Sequence, residues 1–144
     1  MNATQTNSLL NQLRITHTRS LVAYLQYAGP WIRKNFHAVR DVLDTMATEM
    51  QRIADRAGEM ILSDYGELIA GEFPIEFTGL HDLSVDYLLN LIVQEQQEII
   101  VSIEQCVSQL DADPFAQALA EEALGAAKGH LDTLQELVAA ESEA

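Results

Sequence analysis

The stretch FHAVRDVLDTMATEMQRIADRAGEMILS, residues 36–63, decides the fold. Phe36, Val39, Leu43, Met46, Met50, Ile53, Ala57 and Met60 recur at spacings of three and four, which places them on one stripe of an α-helix. With Trp31 as its first residue the predicted helix runs to Ser63, and about thirty residues at about 1.5 Å each span a whole small domain. Upstream, Gly29-Pro30 ends a first helix predicted over Asn7 to Ala28, whose face carries Leu10, Leu13, His17, Leu21 and Tyr24. Trp31 reads as a packing anchor at that turn. Downstream, Val85, Leu88, Leu89, Ile92, Ile99, Ile103 and Leu110 mark a third helix. Asp113 caps a fourth, Pro114 takes its first turn, and its stripe is Phe115, Leu119, Ala123, Ala127, Leu131, Leu134 and Val138. The one strand candidate, Phe73 to Phe77, contains a proline, so the class is all-α.

Connection lengths choose the topology. The first two helices are joined by a tight turn and the last two by a short link, whereas Asp64 to Leu83 separates the second from the third. Two hairpins joined by one long crossover is the ferritin-like four-helix arrangement. The crossover carries Tyr65, Leu68, Ile69, Phe73, Phe77 and Leu80, and is expected to form a short helix packed on the bundle or on a neighbouring subunit.

The 144 residues suit one domain, residues 1–144, with 48% hydrophobic residues to fill one core. No run of about 18 apolar residues occurs and the N-terminus lacks a signal-peptide pattern, so a cytoplasmic protein with no membrane partner is expected. The single Cys106 reads as a small buried apolar residue. The formal charge of −14 is uneven: residues 1–60 hold seven Lys/Arg against five Asp/Glu, and residues 61–144 hold one against seventeen. That balance repels phosphate backbones, which disfavours a nucleic-acid-binding module, while clustered carboxylates attract cations.

The four histidines, His17, His37, His81 and His130, fall in four segments, and no Glu-x-x-His pair of the di-iron kind occurs. No Gly-x-Ser-x-Gly elbow is present either. The candidate metal ligands lie on a second stripe of the second helix, where His37, Asp41, Asp44, Thr48, Gln51, Asp55 and Glu59 follow at spacings of three and four. Residues four apart can chelate one ion, which makes His37 with Asp41, and Asp55 with Glu59, the candidate pairs. The plainer reading is a solvated helix edge whose carboxylates pair with Arg40, Arg52 and Arg56. His17 and Tyr24 read as core residues of the first helix, and the methionines as core filler.

Gly29-Pro30, Phe36-His37 and Ile53-Ala54-Asp55-Arg56, with Asp113-Pro114, Lys128 and His130 further on, resemble in order the pattern of the Dps branch of the ferritin-like superfamily. The resemblance implies a homo-oligomeric cage of twelve subunits that binds and stores iron and protects against oxidative stress. It also implies Fe(II) oxidation by peroxide or oxygen at a site between two subunits. The family's helix-one histidine falls on Tyr24, its later helix-two aspartate on Gln51, and its glutamate on Asp55. Without a gap its earlier histidine and aspartate fall on Phe36 and Arg40; a shift of one restores His37 and Asp41 but moves the later pair onto Arg52 and Arg56. The competing expectation is a bundle of the same shape without a redox centre, acting as a structural or partner-binding protein.

Overall fold

The computed structural model describes residues 3–28, 37–80 and 84–143. These residues form five α-helices: α1 (Ala3–Thr18), α2 (Leu21–Ala28), α3 (His37–Ser63), α4 (Val85–Gln109) and α5 (Pro114–Glu143), with one 3-10 helix (Ile75–Gly79) before α4. No strand occurs among the described residues. Gly29, Pro30, Trp31, Phe36 and His81, to which the sequence assigns a turn, an anchor, a stripe position and a histidine, lie outside the described residues.

Helix direction follows from the contacts. Glu49 meets His130 and Arg56 meets Glu122, so α3 and α5 are antiparallel. Gln96 bonds to the Ala127 carbonyl and Gln117 to that of Val107, so α4 and α5 are antiparallel. Asn7 reaches Asp64, just past α3, while the Leu9 carbonyl receives the Cys106 thiol and Leu21 meets Glu95. The α1–α2 column therefore opposes both α3 and α4, and α3 runs parallel to α4. Leu10, Leu43, Met46, Ile53, Leu89, Ile92, Ile103, Leu119 and Leu134 fill one core between the columns.

The first predicted helix is two. Between α1 and α2 the Ser20 hydroxyl accepts from the Ala23 amide at 3.2 Å, an N-cap, and the Glu95 carboxylate on α4 accepts from the Leu21 amide at 2.8 Å. These partners satisfy amides that a continuous helix would have bonded internally, so the break is supported from outside the segment. The last two helices begin where expected: Ser84 Oγ accepts from Tyr87 N, and Asp113 Oδ1 from Ala116 N. Phe115 departs from its expected stripe and is 82% exposed, because Ala116, Leu119 and Ala120 turn inward instead.

Among the described residues the crossover's one helix is the expected short one, a five-residue 3-10 helix. The crossover begins with a Schellman stop, Gly66 N to Ile61 O at 2.9 Å and Tyr65 N to Leu62 O at 3.1 Å. Tyr65 takes the left-handed position, φ 60°, that glycine usually fills. Gly66 is needed one residue later, where a Cβ would stand 2.6 Å from Asn7 Nδ2. The chain then lies along α1: Asn11 donates to the Glu67 carbonyl at 2.9 Å and accepts from the Ile69 amide at 3.0 Å. Arg14 donates to the Ile69 carbonyl at 3.2 Å and Arg19 to that of Gly71 at 2.7 Å. Arg19 also lies over the Phe73 ring, which packs with Tyr24 and Phe77. Tyr24 thus serves as a packing residue, and Phe77 and Leu80 of the crossover pack against the core while Tyr65, Leu68 and Ile69 are exposed.

Asn11 is 4% exposed and serves both a carbonyl and an amide of the crossover. Asn11→Ala is expected to lower unfolding free energy by about 2 kcal/mol, since each buried polar group left unpaired costs about 1–3 kcal/mol. Denaturant titration checks this, with unchanged helical circular dichroism in the native baseline.

Candidate functional site

The four residues marked from sequence, His37, Asp41, Asp55 and Glu59, are all exposed along α3. Asp55 accepts from Gln51 Nε2 at 2.8 Å, and Arg40 pairs with Asp44 at 3.7 Å. Arg52 and Arg56 do not pair along their own helix but reach across to Glu122 of α5. Asp41 and Asp55 are separated by about 21 Å of helix rise. Within one chain the two candidate pairs therefore cannot share an ion. Among the described residues no group of three or more His, Cys, Asp or Glu side chains is placed to hold a metal ion.

A different polar set lies between the helices. His130 of α5 meets Glu49 of α3, Nε2 to Oε2 at 3.2 Å, and Gln96 of α4, 2% exposed, donates to the Ala127 carbonyl of α5 at 3.0 Å. His17 of α1 is buried with Nδ1 at 2.8 Å from the Leu13 carbonyl. A carbonyl only accepts, so Nδ1 carries the proton and the neutral ring keeps a lone pair on Nε2. Burial holds His17 below the usual histidine range; the Leu13 bond opposes this and the nearby His130 adds to it. Burial likewise raises Glu95 against the bond from Leu21, with Glu98 adding to the rise. Cys106 is pushed up by burial alone, in keeping with a buried apolar role.

Glu49 also lines an open depression of about 550 Å³ with Asp44, Thr48 and Arg52, so its carboxylate is reachable from solvent. Glu49 and His130 lie 81 residues apart, so no local sequence pattern pairs them, and only the packing of α3 on α5 brings them together.

The donor set does not fit a two-iron carboxylate centre, which takes a carboxylate from each of four helices and two imidazoles. Ala127 offers none, Gln96 offers an amide already bonded, and Glu95 is engaged by the Leu21 amide. One carboxylate and one imidazole, Glu49 and His130, suit at most a single divalent cation completed by water. No helix is long and apolar enough to cross a membrane among the described residues. Comparison with protein-family models and with curated proteins gives no match.

The pH dependence of His17 has a definite sign. Its folded value lies below the ordinary 6.5, so its contribution to stability is complete above that value and is lost as pH falls toward the folded value, where only the unfolded chain binds the proton. Denaturant titrations at about pH 7.5 and about pH 5.5, one unit either side of the ordinary value, are expected to show a loss of stability that is smaller in His17→Gln.

Proposed function

We propose that the chain is a subunit of a ferritin-like four-helix-bundle protein of the Dps-like kind. It assembles with copies of itself and handles iron or another divalent metal ion. The observation that carries this reading is helix direction: the α1–α2 column, α3, α4 and α5 run up, down, down and up. Parallel α3 and α4 require the long crossover of residues 64–84, and one such crossover is the mark of ferritin-like bundles.

Metal chemistry in this reading belongs between subunits. Asp55 and Glu59, and His37 and Asp41, stand exposed on α3 where a neighbouring chain can complete each pair, in line with the intersubunit site the Dps-like resemblance implies. Iron is the cargo, Fe(II) oxidised by peroxide or oxygen is the reaction, and the −14 charge favours cation uptake. A second reading, a bundle without a redox centre serving a structural or partner-binding role, is favoured by one observation: in the core the Gln96 amide donates to the Ala127 carbonyl, a neutral pairing that brings no carboxylate between α4 and α5 there.

Light scattering on the size-separated protein, with elemental analysis after Fe(II) loading in air, decides between them. The first reading expects a mass near twelve subunits and many irons per chain, with uptake cut at least about tenfold in Asp55→Asn/Glu59→Gln. An oligomer or monomer that holds no iron gives way to the second.

A further inference from the structure

Where α3 faces α5, two donor atoms from different helices converge. Glu49 Oε2 and His130 Nε2 stand 3.2 Å apart, with the His130 side chain 12% exposed and that of Glu49 36% exposed. Two metal–ligand bonds of about 2.1 Å that enclose an angle of about 100° end on atoms about 3.2 Å apart, so both groups can hold one ion where they stand. The spacing is fixed from outside the pair. Arg56 and Glu122, about two turns away along the two helices, tie α3 to α5 in the same register. A carboxylate with one imidazole is a mixed oxygen and nitrogen set. It suits zinc, cobalt or another first-row divalent ion better than magnesium or calcium, which take oxygen ligands.

The surroundings leave room for the remaining ligands. On the Glu49 side the depression of about 550 Å³ is lined by Asp44, Thr45, Thr48 and Arg52, so an ion has a way in and several waters can complete its coordination. Asp44 adds a second carboxylate to this lining, whereas Arg52, its one cation, is drawn toward Glu122 at 3.7 Å. A proton and a metal ion compete for the same imidazole lone pair, and the ion sets the greater positive charge against Glu49. We propose that Glu49 and His130 bind one first-row divalent metal ion of the zinc or cobalt kind within a single subunit, clamping α3 to α5. This goes beyond the function proposed above, which places cargo metal on the exposed edge of α3 between subunits, and it does not depend on assembly.

Titration calorimetry with zinc on chelator-stripped full-length protein tests the site, in a His37→Ala background that removes the exposed His37–Asp41 pair. One zinc per chain is expected, with magnesium bound at least about tenfold more weakly. On that background Glu49→Gln and His130→Gln are each expected to weaken zinc at least about tenfold, and denaturant titration in chelator shows that each variant is folded. Zinc should raise the unfolding midpoint of the background protein and leave those of the two variants unchanged. Should a variant not fold, the background protein answers by itself: cobalt is expected to broaden the backbone amide resonances around residues 49 and 130 first. Zinc bound no more tightly than magnesium, equal zinc affinity in either folded variant, or cobalt broadening centred elsewhere overturns the site. Iron uptake by the assembled protein stands or falls separately, in the loading experiment described above.

Discussion

Running α3 and α4 in the same direction obliges the chain to travel back along the molecule between them, and much of the remaining structure answers that obligation. A connecting strand of backbone carries an amide and a carbonyl at each residue, and it must lie against a surface able to pair with them. Here α1 supplies that surface with Asn11, Arg14 and Arg19, spaced so that each meets successive parts of the crossover. Gly66 and Gly71 let the backbone approach closely; a Cβ on Gly71 would stand 2.7 Å from Ile15 Cγ2. The apolar crossover residues that cannot turn inward are left on the outside, which makes the exposed face a consequence of topology.

The same topology governs the interior. With α5 antiparallel to both α3 and α4, residues distant in sequence meet as Glu49–His130 and Gln96–Ala127. The Gln96 amide and the Ala127 carbonyl close the core with a neutral hydrogen bond, which costs far less in a low-dielectric interior than an unpaired polar group. His17 satisfies one ring nitrogen through its own helix, so burial is tolerable only while the ring is neutral. Glu95 contributes to architecture, since its carboxylate bonds the first amide of α2 and so helps hold the break after α1.

Helix class and most boundaries could be read directly from the chain. Apolar spacing of three and four, Asp113 as a cap and Pro114 in the first turn are local signals, and local hydrogen bonding honours them. The long interval before Val85 likewise implied one crossover, because a short link cannot join parallel neighbours. What was not legible locally was the break at Ser20, supported by Glu95 some 74 residues away. Nor was the outward turn of Phe115, set by which neighbouring residues face α4.

For the candidate site the division is sharper. Sequence spacing alone placed His37, Asp41, Asp55 and Glu59 on one edge of α3, since a helix fixes the angle between residues four apart. Sequence could not show that Arg52 and Arg56 would turn to Glu122, or that Glu49 and His130 would meet. Those are contacts between columns, and their partners are chosen by helix direction and by which stripes pack together. Secondary structure was therefore determined by the residues themselves, whereas the polar pairing of the core and the exposed face of the crossover were decided only when the columns closed around a common interior.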